Sequence, residues 1–88
     1  MDILIPSKKF AIEYNGDYWH SDDMGRGYDY HQKKFDEAKV GGFTLLHIWE
    51  SRWNSEYKDI YLKVINHFLF NQDIENLDDI LKDNIFLD

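Results

Sequence analysis

Two short apolar runs, residues 2–5 and 9–15, are separated only by Pro6, Ser7 and Lys8, a spacing that predicts a β-hairpin at the start of the chain. With the turn centred between Ser7 and Lys8, Ile5 opposes Phe10, Ile3 opposes Ile12, and Asp2 opposes Glu13. Side chains alternate across a strand, so Ile3, Ile5, Phe10, Ile12 and Tyr14 share one face. Asp2, Leu4, Ala11, Glu13 and Asn15 share the other.

Asn15-Gly16 ends the second strand, and residues 21–27, with Gly25 and Gly27, read as a loop without periodicity. Tyr28, His31, Phe35 and Ala38 then recur at helical spacing, and Gly41-Gly42 supplies a stop. Residues 43–49 form a largely apolar run, the pattern of a strand covered on both faces. Strand, helix and strand predict a β-α-β unit with parallel strands and a right-handed crossover. After a turn region over residues 51–55, a second amphipathic helix is expected over 56–70, carrying Tyr57, Ile60, Tyr61, Val64, Ile65, Phe68 and Leu69. Ile74, Leu77, Ile80 and Leu81 suggest a last short helix. The expected class is α/β: a β-hairpin, a β-α-β crossover and C-terminal helices.

With 88 residues the chain has room for one core, and 43% hydrophobic and 17% aromatic content excludes a disordered segment. Residues 1–70 are expected to form the core, with 71–88 as an acidic C-terminal helix or tail of the same domain. The absence of cysteine rules out a disulfide scaffold, a thiol nucleophile and a cysteine-based zinc site. No apolar run approaches the roughly 20 residues of a membrane span, and the start of the chain leads us to expect no secretory signal and a cytoplasmic location. The net charge of −7 opposes nucleic-acid binding at first sight. Six acids against Lys82 alone put −5 of it in residues 71–88, however, leaving −2 for the rest.

Asp2 against Glu13 places like charges side by side, which destabilises a sheet unless water or a cation lies between them. A wet, frayed terminus is one reading; a Mg²⁺ or Mn²⁺ site is the other, since hard cations take carboxylate and carbonyl oxygens. Glu13 is the more informative acid because it interrupts an apolar strand. Among the histidines, His47 sits inside a core strand and reads as a core residue, and His67 falls on the surface of the second helix. His20 is better placed for proton transfer than His31. No two histidines stand at the close spacing of a zinc motif, which argues against zinc.

Several segments in order carry a family pattern: Asp2-Ile3-Leu4-Ile5-Pro6; Phe10-Ala11-Ile12-Glu13-Tyr14-Asn15-Gly16-Asp17-Tyr18-Trp19-His20; Tyr30-His31-Gln32-Lys33-Lys34; and Gly42-Phe43-Thr44-Leu45-Leu46-His47-Ile48-Trp49-Glu50 with Trp53. Over residues 1–53 the chain resembles the very-short-patch-repair-like branch of the PD-(D/E)xK nuclease superfamily, especially phage and homing endonuclease catalytic domains. The resemblance implies a restriction-endonuclease-like core and a metal-dependent DNA endonuclease, intracellular and phage-encoded. It makes Asp2 the metal-binding acid of the first strand and Glu13 the acid of the (D/E)xK element, with the Tyr14 carbonyl completing the Mg²⁺ or Mn²⁺ site. Asn15 stands where the classical lysine would be, a departure that leaves His20 as the leading group to activate water. Lys34, on the crossover helix, is the candidate replacement for that lysine; a surface pairing with Asp36 or Glu37 is its plainer role. His31 and Glu50 match weaker positions of the pattern. The chain also starts almost on Asp2, without the preceding helix and strand of the superfamily, and lacks the repair enzymes' zinc site. A minimal nuclease, a catalytic domain separated from its DNA-binding part and a degenerate remnant all fit that outline.

On this reading Tyr18 and Trp19 stack on bases or close the hairpin's end, and Lys8, Lys9, Arg26, Lys33, Lys34 and Lys39 contact phosphates. So few cations predict weak, salt-sensitive DNA binding unless a homodimer partner or a separate DNA-binding domain or subunit adds more. The rival reading is a catalytically inactive nuclease-fold module that binds another protein through its acidic C-terminal segment.

Overall fold

A computed structural model of the chain describes residues 2–16 and 27–86. Strand β1 (Asp2–Ile5) pairs antiparallel with β2 (Phe10–Asn15), and β2 pairs parallel with β3 (Thr44–Trp49), giving a three-stranded sheet in the order β1-β2-β3. Between β1 and β2 the chain makes one 3₁₀ turn, Pro6–Lys8. Proline suits its first position because the ring fixes φ and no N–H is wasted there. Lys9 closes the turn in the left-handed region (φ 54°) and donates its N–H to the Pro6 carbonyl. The hairpin register is the expected one, Asp2 with Glu13 through Ile5 with Phe10.

Helix α1 (Gly27–Val40) connects the parallel strands. It ends as the Gly41-Gly42 pair requires. Gly42 takes φ 86° and donates to the Lys39 carbonyl, and Phe43 donates to the Ala38 carbonyl at 2.8 Å, the paired bonds of a Schellman cap. His31 and Phe35 on its inner face are buried, as their spacing predicted. β3 is buried from Leu45 to Trp49, which accounts for its nearly continuous apolar sequence.

The region expected to be a turn after β3 is instead a single helical turn, α2 (Glu50–Trp53), so Glu50 opens a helix rather than ending the strand. Ser55 locks the following bend by donating its hydroxyl to the Arg52 carbonyl. Helix α3 (Lys58–Phe70) buries Tyr61 and Val64, and α4 (Leu77–Asp83) buries Leu81. Phe10 stacks on Phe68 of α3 with centroids 4.3 Å apart, whereas Glu13, three residues on and therefore on the opposite face, meets α1. The sheet thus lies between α1 and α3, with Ile12, Leu46, Ile48, Tyr61, Val64, Leu81 and Ile85 in the core. Ile85, just beyond α4, packs into this core and is 2% exposed. Among the described residues no helix is long and apolar enough to cross a membrane.

Candidate functional site

The parallel register sets Glu13 of β2 beside His47 of β3 and Asn15 beside Trp49. Helix α1 covers this face with His31 and Lys34, one turn apart and therefore on the same side of the helix. Four chemistry-bearing side chains from three elements converge here. Glu13, His31 and His47 are 5%, 4% and 0% exposed; the Lys34 side chain keeps 33% of its surface.

Each oxygen of the Glu13 carboxylate has a different environment. Oε1 accepts a hydrogen bond from Lys34 Nζ at 2.5 Å, and the same ammonium lies 4.8 Å from the centre of the Tyr30 ring. Oε2 points inward, 3.8 Å from His31 Nδ1 and 3.6 Å from His47 Nδ1. Both separations exceed hydrogen-bond length. Glu13 Oε2 and His31 Nδ1 are buried without any hydrogen-bond partner.

The hydrogen bonds fix the tautomer of His47. Its Nε2 is 3.2 Å from the His31 backbone carbonyl, which can only accept, so Nε2 carries the proton. Nδ1 then presents a lone pair, toward which the Asn15 amide donates at 3.2 Å. Burial pushes the His47 pKa down to about 4, against the pull of Glu13, so the ring is neutral at physiological pH. Burial alone would raise the Glu13 pKa; the facing His31, Lys34 and His47 outweigh it and hold the carboxyl at about 2. Lys34, although partly desolvated, is raised above its ordinary range by the same carboxylate. Glu13 and Lys34 therefore form a persistent ion pair. The far oxygen of that pair faces two imidazole nitrogens, of which His47 Nδ1 carries no proton to share with it.

The sequence candidates separate into groups. Asp2 pairs opposite Glu13 in the ladder. Lys34 meets Glu13, not Asp36 or Glu37; Asp36 instead accepts from Gln32. Asn15 is 6% exposed and engaged with His47, so its side chain takes up the core role of orienting an imidazole. Lys8 and Lys9 lie at the hairpin turn, roughly 13 Å along the strand from Glu13 at the usual rise per residue. Lys33 is exposed on α1, bordering a shallow surface groove with Gln32, Asp36, Glu37 and Val40. Tyr18, Trp19, His20 and Arg26 lie outside the described residues. His67 is partly buried and its Nδ1 donates to the Gln72 carbonyl.

His47 is the core residue its strand position implied, but the sequence did not bring it and His31 together with Glu13. Their sixteen-residue separation carries no metal-motif spacing. The available signal was topological: parallel pairing sets the middle of β3 beside the middle of β2, and the spacing of His31 and Lys34 puts both on one side of α1.

Comparison with protein-family models, with curated proteins and with solved structures finds no match for this chain.

Proposed function

We propose that this chain is a metal-dependent DNA endonuclease with a restriction-endonuclease-like core, its β2-α1-β3 segment forming the right-handed crossover of that fold. The observation that carries this reading is the Lys34 ammonium on Glu13, at the strand position paired with Asp2. A carboxylate pair on adjacent strands next to a fixed ammonium is what phosphodiester hydrolysis requires: acids to hold a divalent cation, and a positive group to orient water and meet the charge that develops on phosphorus.

Glu13 Oε2, buried and without a partner, fits this role because a cation would satisfy it. Asp2, Glu13 and the Tyr14 carbonyl would hold Mg²⁺ or Mn²⁺, whose chemistry when bound is Lewis-acid polarisation of the phosphodiester. Lys34, protonated throughout the working pH range, donates to a phosphoryl oxygen or to the attacking water. Glu13 fixes the lysine's position. His20 is the candidate base. The exposed Lys33 supplies phosphate contact near α1, while Lys8 and Lys9 reach a more distant part of the duplex.

Supercoiled plasmid incubated with the protein and Mg²⁺ or Mn²⁺ is expected to be nicked or linearised. Asp2→Asn and Glu13→Gln should abolish cleavage, and Lys34→Met should slow it by roughly 100-fold, the scale of losing one preorganised charge donor. Wild-type protein that stays folded yet neither cleaves DNA nor binds either ion by calorimetry would overturn the proposal. The acidic segment 71–88 as a protein-binding surface would then be the reading to pursue.

A further inference from the structure

The oxygen-only ion of the preceding section leaves unexplained why two imidazoles face the same carboxylate. We infer that Glu13, His31 and His47 form a binding site for a borderline transition-metal ion of the Zn²⁺ and Co²⁺ class, held by Glu13 Oε2 and one ring nitrogen from each histidine.

Distance supports the assignment first. One ligand atom from each residue lies within 4.8 Å of the others, and two of the edges are 3.6 and 3.8 Å. Bonds of ~2.1 Å in a tetrahedral site place ligand atoms about 3.4 Å apart, so the two Glu13 edges already lie within a few tenths of an ångström of ligand spacing, and the histidine–histidine edge, within 4.8 Å, is the one that closes when the ion binds. Orphaned polar atoms are the second, independent observation. Glu13 Oε2 and His31 Nδ1 are both buried, both unpartnered and 3.8 Å apart. Leaving such groups unsatisfied costs about 1–3 kcal/mol each, and apposing a carboxylate oxygen to the His47 lone pair adds repulsion that a cation would reverse.

The orientation of His47 is the third. A metal-bound histidine characteristically donates its other N–H to a backbone carbonyl or carboxylate, which fixes the ring and its tautomer. His47 does so through Nε2 to the His31 carbonyl, tying one histidine of the site to the backbone of the other. The donor set decides the ion class. Two nitrogens and one oxygen suit Zn²⁺, Co²⁺ and their neighbours, whereas Mg²⁺ prefers oxygen and water.

Charge makes Lys34 the antagonist of this ion. Glu13 and Lys34 cancel, so a divalent ion leaves the buried cluster strongly positive. Removing the ammonium frees Oε1 and should tighten the ion by at least about tenfold. An anionic fourth ligand would act in the same direction.

Binding does not depend on the nuclease reading, although both use Glu13, and the test separates them. Untagged protein stripped with a chelator and titrated with Co²⁺ is expected to develop a visible d–d band saturating at one equivalent and abolished by stoichiometric Zn²⁺. Mg²⁺ in large excess should leave the band in place. His31→Ala should lose the band while keeping its far-ultraviolet circular dichroism; His47, bonded at both nitrogens in the core, is the riskier variant to fold. Lys34→Gln should bind Co²⁺ more tightly than wild type, a gain that a misfolded variant cannot mimic. Absence of a saturable band in folded wild-type protein, or an undiminished band in folded His31→Ala, would overturn the inference. DNA cleavage with Mg²⁺ alongside either of those results would leave the proposed function standing and remove only this site. A Co²⁺ band in a protein that cleaves nothing would do the reverse.

Discussion

Trp49 joins two buried polar clusters that were built to opposite rules. On one side its ring meets the edge of His31, centroids 5.0 Å apart, in the Glu13 cluster. On the other its indole N–H donates to the Asn84 carbonyl at 2.8 Å and its backbone N–H to the Tyr61 hydroxyl. The Asn84 cluster is saturated. Its Oδ1 accepts from Tyr61 and Arg52, its Nδ2 donates to Tyr57 and to the Ile80 carbonyl, and Asn84 is 0% exposed. The Glu13 cluster leaves a carboxylate oxygen and an imidazole nitrogen with nothing to bond. A completed buried network fastens a fold, here the C-terminal helices to β3; an incomplete one of similar burial leaves polar atoms that a ligand could satisfy.

The contrast is broken most directly at Asn84. Asn84→Leu removes four side-chain hydrogen bonds and leaves the Tyr61 O–H without its acceptor and the Tyr57 hydroxyl without its Asn84 donor, so urea denaturation is expected to give a loss of about 4 kcal/mol. Acidification acts on the other cluster. His47 is neutral in the fold with its pKa near 4, whereas in the unfolded chain it titrates near 6.5. The unfolded state therefore binds more protons between these values, and chelator-treated protein should lose stability as pH falls from 6.5 to 4, on the order of 3 kcal/mol. Glu13 has the same sign in a lower window: its stabilisation is present above pH 4.5 and is lost as pH falls toward 2. Thermal melts across the two windows would sharpen the comparison by showing a two-stage decline.

Smaller effects test the rest. Glu13→Gln removes the charge that Lys34 neutralises and is expected to cost about 1–2 kcal/mol, well below Asn84→Leu, because an amide N–H at the Oε2 position can donate to the unpartnered His31 Nδ1 and the partly exposed Lys34 can turn to water. Most stability kept while cleavage is lost would mark Glu13 as serving function. A Glu13→Gln penalty approaching that of Asn84→Leu would erase the distinction between the clusters. Tyr57→Phe withdraws one acceptor from a half-buried Asn84 bond and should cost about 1 kcal/mol in the same denaturation series.

Local chemistry made much of this architecture legible. The short gap at Pro6-Ser7-Lys8 leaves a hairpin as the natural connection and its register follows, which is why Asp2 could be paired with Glu13 in advance. Gly41-Gly42 marks the end of α1 because the cap needs a positive φ. A run as apolar as β3 belongs between two layers, and parallel pairing with β2 follows from the intervening helix. The α2 turn escaped notice because four residues carry too little periodicity to register, and its bend is held by the Ser55 hydroxyl and by Arg52 reaching Asn84, a contact across thirty-two positions.

The residues themselves determined that Glu13 is exceptional, since an acid amid apolar strand residues demands a partner, and that Lys34 sits on a helix able to supply it. Only the tertiary structure decided the rest of the company. Parallel register brought His47 to Glu13, and the packing of α1 on the sheet brought His31 to both. It also sent Asn15 to an imidazole and Asn84 to two tyrosines and an arginine. The physical reason is that hydrogen bonds and metal ligation act over about 2–4 Å, and residues sixteen or thirty-two positions apart reach that range only after burial of the apolar faces has fixed which elements touch.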